Sequence, residues 1–173
     1  MKFGIVIFPS IEVQERANAL RKRYDSHYNL IPPHITIKEA FELDSPDKAI
    51  AHLESVTKII PPFNLKLNKI KSFYPISPVL YCGVEDDPII YHLHEKINSG
   101  VLYHETKHKF TPHLTIAQDL PDQEIHDIYS RLKLKDFNMT FPVEQIHLCY
   151  QTETGSWEVY QSFPLRGDRN DTT

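Results

Sequence analysis

His34-Ile35-Thr36-Ile37 and His113-Leu114-Thr115-Ile116 are one motif written twice, and each copy follows a proline, Pro33 or Pro112. Successive side chains of a β-strand point to opposite faces. His34 and Thr36 therefore share one face, with Ile35 and Ile37 on the other, and the second copy divides in the same way. Two such strands bury an aliphatic face and present two imidazoles and two hydroxyls on the other. The prolines donate no ladder bond and belong at the strand starts, where they stiffen the approach to each histidine.

Outward from the motifs the chain reads as alternating helices and strands. An apolar run from Met1 to Phe8 gives a first core strand. Ser10 caps a helix from about Ile11 to Tyr24, with Ile11, Val13, Ala17, Leu20 and Tyr24 on its apolar stripe. Ser45-Pro46-Asp47 signals a second helix to about Lys58, as a cap followed by proline at the first helical position. Phe63 to Phe73 and Val79 to Val84 read as strands, and Asp87-Pro88 opens a third helix striped by Ile89, Ile90, Leu93 and Ile97. The second motif strand spans about Lys109 to Ala117, and a fourth helix runs from Pro121-Asp122 to about Leu132. Strands near Met139 to Tyr150 and Trp157 to Pro164 follow, separated by the turn Glu153-Thr154-Gly155-Ser156.

The motifs lie 79 positions apart (34 to 113), and a Phe-Asn pair follows each, at Phe63-Asn64 and Phe137-Asn138. The series points to an internal duplication in which each half supplies one lobe of antiparallel sheet with helices on its outer face. The expected fold is α+β and bilobed, with pseudo-two-fold antiparallel sheets and a central groove carrying both motifs. One domain over 1–166 is expected, with an unstructured tail at 167–173.

The chain has 173 residues, enough for one well-buried core, and 40% hydrophobic residues including nine Tyr and nine Phe. A net charge of −4 argues against a protein that wraps duplex DNA through its overall field. The basic residues Arg21, Lys22, Arg23, Lys66, Lys69, Lys71, Lys107 and Lys109 read as solvated surface. Cys82 and Cys149 stand in apolar runs and suit buried free thiols. With no cleavable leader or membrane-length segment, a cytoplasmic protein is expected, and a monomer is the default.

Two histidines facing a groove divide proton transfer, one neutral as general base and one protonated as general acid. Phosphoester chemistry suits such a pair, and Thr36 and Thr115 would donate hydrogen bonds to non-bridging phosphate oxygens. The motif face brings no Cys, Asp or Glu, so no metal and no cofactor is expected. Lys38 continues the His34 face. A solvated strand-end lysine is the expectation there, with assistance to phosphate charge as the alternative.

The paired motifs resemble the signature of the 2H phosphoesterase superfamily, and the whole chain resembles its short bacterial YjcG-like branch. The resemblance implies a bilobed α+β fold and RNA-ligase-like, metal-independent hydrolase action on 2′,3′-cyclic phosphates or 2′-5′ phosphodiester bonds. Its implied substrates are small nucleotides or RNA ends. It also implies His34 as proton donor and His113 as proton acceptor, roles that a reversible reaction exchanges.

Two other readings compete. His104-Glu105-Thr106-Lys107-His108 matches a zinc-protease string, which requires both histidines on one helical turn. The preceding Asn98-Ser99-Gly100 ends a helix, so a polar loop at the groove rim is expected instead. The second is a non-catalytic module that holds a nucleotide or RNA end in the same groove. His92 and His94 point to different sides of a helix, and His27, His52, His126 and His147 lack a partner motif. Tyr74, Tyr81 and Tyr150 read as core aromatics, with a place lining the groove as the alternative.

Overall fold

The computed structural model describes residues 1–168. Along them run β1 (Lys2–Ile7), α1 (Ile11–Tyr24), β2 (Ile35–Glu42), α2 (Asp47–Thr57), β3 (Phe63–Ser72) and β4 (Val79–Val84). α3 (Pro88–Ile97), β5 (His113–Gln118), α4 (Asp122–Leu132), β6 (Asp136–Val143), β7 (Gln145–Gln151) and β8 (Trp157–Pro164) complete the order. The caps act as their residue types dictate. Ser10 Oγ accepts from the Val13 amide at 3.5 Å, and Asp87 Oδ1 accepts from the Ile89 amide at 2.7 Å with Pro88 in the first turn. α2 starts one residue later than its proline suggests, with Pro46 itself in the cap position. Ile11, placed on the apolar stripe of α1 by periodicity, is 72% exposed at the helix start.

The strands form one antiparallel sheet ordered β6-β3-β4-β5-β2-β1-β7-β8. Its two four-stranded halves meet at β5 and β2, where the register gives one partner pair, Ile35↔Leu114. That seam joins the two motif strands. On the helix-covered face Ile35, Ile37, Leu114 and Ile116 are at most 2% exposed. Each contributes about 1.5–3 kcal/mol by burial, and a slip of one residue would replace them with histidine and threonine.

Each motif strand carries a β-bulge just past its threonine. Val6 pairs with Thr36 while Ile5 pairs with Lys38, leaving Ile37 as the extra residue. Tyr81 pairs with Thr115 while Leu80 pairs with Ala117, leaving Ile116. Both bulges occupy equivalent places in the repeat, and each re-aims the residue that follows.

The lobes are assembled differently from the expected half-and-half division. One lobe combines β1 and β2 with β7 and β8, and the other combines β3 and β4 with β5 and β6. Each half of the chain thus gives two strands to each lobe. The repeating unit is strand-helix-strand-helix, with β1-α1-β2-α2 matched by β4-α3-β5-α4. α1 packs against β5 and α3 against β2. The Phe-Asn pairs are not related by this symmetry: β3 and β6 are neighbours in one lobe, with Phe63 paired to Val143. The Met139 to Tyr150 stretch is two strands, because the chain crosses between lobes at Glu144. The second motif strand starts at His113, four residues later than expected, after Pro112. Gly155 sits at φ +89° in the β7–β8 turn, a conformation that favours glycine. The Gly167 amide donates to the Ile60 carbonyl at 3.0 Å. The rest of the expected tail, residues 169–173, lies outside the described residues.

Candidate active site

The two motif histidines are tied to the backbone in the same way. His34 Nδ1 lies 2.9 Å from the Pro32 carbonyl oxygen, and His113 Nδ1 lies 2.7 Å from that of Thr111. A carbonyl only accepts, so each Nδ1 carries the proton and donates. In the neutral rings both Nε2 atoms are then free lone pairs. The carbonyl two residues back, held across an intervening proline, sets this tautomer in both copies.

The seam register brings the motifs together. With Ile35 opposite Leu114, the antiparallel pairing places His34 across from Thr115 and Thr36 across from His113. Directly opposed Cβ atoms lie about 4.5–5.5 Å apart and diagonal ones about 7–8 Å. On this register the four residues stand at the corners of one four-sided patch, the square, with the imidazoles on one diagonal and the hydroxyls on the other. All four are half-buried. His34, Thr36 and Thr115 line an open cavity of about 220 Å³, and Thr36 and His113 line an adjoining one of about 250 Å³.

Burial favours the neutral state of both rings. Desolvation pushes His34 down to about 4, with further lowering by Arg21 and His113 and opposition from the Pro32 carbonyl and Asp25. The same cause lowers His113, opposed by the Thr111 carbonyl and Glu39. An anion placed beside either ring would favour its charged form.

A buried network stands behind His34. Arg21 is 2% exposed and donates from Nε to Asp25 Oδ2 at 2.9 Å, from Nη1 to Asn18 Oδ1 at 2.8 Å, and from Nη2 to the Ile31 carbonyl at 2.6 Å. Asp25 Oδ1 accepts from the His27 amide and from Gln118 Nε2 at the end of β5. Arg21 thus fixes the residue preceding Pro32, whose carbonyl orients His34, and its carboxylate partner grips the opposite motif strand.

The sequence model of the 2′-5′ RNA ligase superfamily matches residues 9–155. The chain belongs to this superfamily. It is 46% identical over 169 residues to a Geobacillus kaustophilus protein named "Putative phosphoesterase", covering 96% of this chain and 98% of that one. A Bacillus mycoides protein of the same name is 44% identical over 172 residues, covering 98% and 100%. Among solved structures, TT0787 of Thermus thermophilus superposes with a TM-score of 0.75 at 19% identity, over 98% of this chain and 100% of that one. Escherichia coli LigT complexed with 3′-AMP gives 0.70 at 15% identity, over 95% and 97%. These structures share the fold, and the family and the named relatives support a phosphoesterase.

Within this superfamily member three side chains depart from expectation. Arg21, read with Lys22 and Arg23 as solvated surface, is buried, whereas its two neighbours are exposed. Lys38, expected at a solvated strand end, is 3% exposed, because the bulge at Ile37 turns it toward the segment after α3. Desolvation lowers its ammonium below the usual lysine value. Phe73, which carried no signal, stacks on Tyr81 at 4.1 Å, and both rings meet His113 edge-on, at 4.9 and 5.4 Å. Of the three tyrosines considered for the groove, Tyr81 is the one beside a motif histidine. Tyr74 and Tyr150 bond Asp122 and Glu158.

The zinc-protease string forms no helix. Residues 103–112 are irregular, and His104 Nδ1 is engaged by Lys38 Nζ at 2.8 Å. His94 stacks face to face on Phe110 at 3.8 Å, and His147 Nδ1 pairs with Ser162 Oγ at 2.7 Å. Cys82 and Cys149 are buried free thiols. No helix among the described residues is long and apolar enough to cross a membrane.

Proposed function

We propose that this protein is a two-histidine phosphoesterase that opens 2′,3′-cyclic phosphates or cleaves 2′-5′ phosphodiester bonds at nucleotides or RNA ends. The observation that carries this reading is the pair of carbonyl-tied imidazoles, each with Nε2 free, on one diagonal of a square whose other corners are threonine hydroxyls. A phosphate seated there meets a proton-transfer group on each side and a hydrogen-bond donor at each remaining corner. The four motif side chains are imidazoles and threonine hydroxyls, and a threonine hydroxyl is a poor zinc ligand, which suits chemistry without a metal.

In hydrolysis, His113 Nε2 takes a proton from water as its oxygen bonds to phosphorus. The bond from phosphorus to a ribose oxygen breaks, and that oxygen receives the proton carried by His34 Nε2. The donor and acceptor roles follow the family resemblance. Burial keeps His34 neutral in the free protein, and an anionic substrate beside it would raise its pKa and favour the charged ring that donates. A nucleotide substrate also accords with E. coli LigT, which shares the fold and has been crystallised with 3′-AMP, NADP+ and ATP.

The test is a chelator-containing panel of nucleoside 2′,3′-cyclic phosphates, cyclic-phosphate-ended RNA and 2′-5′-linked dinucleotides, with products resolved as 2′- or 3′-phosphates. His34→Ala and His113→Ala should each lower turnover by about 10²–10⁴-fold while thermal unfolding is preserved. Wild-type turnover in both variants would refute the assignment. Ligand binding with no turnover of any panel member would instead mark a non-catalytic module.

A further inference from the structure

Lys38 is a buried cation without a carboxylate ion-pair partner among the described residues. Its ammonium donates to Asn98 Oδ1 at 3.2 Å, to the Leu102 carbonyl at 2.9 Å and to His104 Nδ1 at 2.8 Å. Three acceptors use all three protons, so this geometry holds the charged form. All three are neutral groups, and the Phe41 ring, 5.2 Å from the ammonium, adds a cation–π attraction but no formal countercharge. An anion seated beside it would supply the missing countercharge.

The same contact determines what His104 presents. An ammonium only donates, so Nδ1 of His104 accepts and the neutral ring carries its proton on Nε2. The exposed His104, with Thr36, Lys38, His94, Thr111 and His113, lines the cavity that adjoins the motif square on the His113 side. Lys107 and His108 add basic groups at its rim, while Glu39 and Glu105 are the acids that line it. A donor backed by a buried positive charge, beside the square that takes the reacting phosphate, suits another phosphate oxygen.

We propose that this cavity is a second-phosphate subsite, in which His104 Nε2–H binds a further phosphate of a nucleotide or RNA end whose reacting phosphate occupies the square. Lys38 is its positioning residue, fixing the His104 tautomer and furnishing the countercharge. The favoured ligands are therefore nucleoside bisphosphates and oligonucleotide ends rather than nucleotides with one phosphate. The inference rests on the proposed function for the identity of the reacting group.

Calorimetric titration at low ionic strength with adenosine 2′-monophosphate, adenosine 2′,5′-bisphosphate and inorganic phosphate tests it without turnover. The bisphosphate should bind wild-type protein about tenfold or more tightly than the monophosphate. Lys38→Met and His104→Phe should each reduce that advantage to under about threefold, and the exposed His104→Phe should leave monophosphate affinity nearly unchanged. Imidazole ¹⁵N spectra should show His104 as the Nε2–H tautomer in wild type and as a tautomer mixture in Lys38→Met. If Lys38→Met does not fold, the exposed His104→Phe decides. Equal affinities for the two nucleotides, including no binding of either, overturn the subsite. His104-dependent binding of inorganic phosphate without a bisphosphate advantage overturns its nucleotide assignment. A His104-dependent bisphosphate advantage in a protein that turns over no panel substrate retains the subsite and removes the catalytic reading.

Discussion

Replacing Arg21 with leucine would remove the centre of the network behind His34. Asp25, 7% exposed, would keep its bonds from the His27 amide and Gln118 but lose its charge partner. The carbonyl of Ile31 would lose its 2.6 Å donor. Breaking one side of a buried ion pair costs about 3–5 kcal/mol, because the remaining charge stays desolvated. At about 2–4 °C per kcal/mol for a chain of this size, the melting temperature should fall by about 6–20 °C. Replacing both Arg21 and Asp25 with leucine should recover much of that loss, since an ion pair and its apolar replacement are often nearly equal in stability. Turnover should not recover with it. Arg21 fixes the residue before Pro32, and a misplacement of His34 by about 1 Å costs about 10²-fold in rate. Urea unfolding of wild type, both single variants and the double variant gives the stability cycle, and the cyclic-phosphate assay gives the rates. A loss below about 1 kcal/mol in Arg21→Leu, or a double variant no more stable than that single variant, would refute the buried-pair argument.

Thr36→Val and Thr115→Val retain the β-branched shape while deleting a hydroxyl from the square. Each should reduce kcat/KM by about 10–100-fold, the equivalent of one hydrogen bond to a charged group, with little change in unfolding midpoint. Equal activity in both valine variants would remove the hydroxyls from the reaction. Stability should also depend on pH through His34. Its folded pKa of about 4 lies below the unfolded 6.5, so between these values the unfolded chain binds a proton that the folded chain refuses. Stability is then unaffected by this group above pH 6.5, falls by up to about 1.4 kcal/mol per pH unit below it, and loses about 3 kcal/mol in all by pH 4. Urea midpoints across that range should decline less steeply in His34→Gln, and identical slopes would show that His34 is not the group responsible.

Most elements are legible in the sequence because their residues carry local signals. Ser10 and Asp87 cap the helices they precede, and the motif strands alternate as two-sided strands must. The break at Glu144 also leaves a trace: buried positions fall on alternate residues at Phe141 and Val143 before it, then run unbroken through Ile146, His147, Leu148 and Cys149 after it. A strand covered on one face gives way there to one buried on both. Lobe membership has no local signal, since strand order is set by which helix faces cover which strands. Lys38 escapes for a related reason: alternation would leave it beside Thr36 in the open groove, and the bulge at Ile37 is a property of the β1–β2 pairing. Arg21 follows the opposite logic. It stands beside exposed Lys22 and Arg23, and only the return of the chain at Ile31 and the end of α1 at Asp25 provide enough acceptors to bury it.

The repetition of strands, bulges and carbonyl-tied imidazoles about the seam gives the square an approximate dyad. A half-turn about that axis carries His34 onto His113 and Thr36 onto Thr115, so the centre by itself has no front or back. Under the two-histidine mechanism, the half-turn also exchanges the incoming oxygen with the departing one, and bond making and bond breaking become the same operation viewed from opposite ends. Directionality then belongs to what breaks the symmetry. Lys38 stands where the repeat has Ala117, and the Arg21–Asp25 pair backs one imidazole. Under that mechanism polarity, the choice of donor and acceptor, is imposed by the surroundings, and exchanging those surroundings would swap the roles of the two imidazoles while leaving the balance between cleaved and sealed phosphodiester where solution sets it.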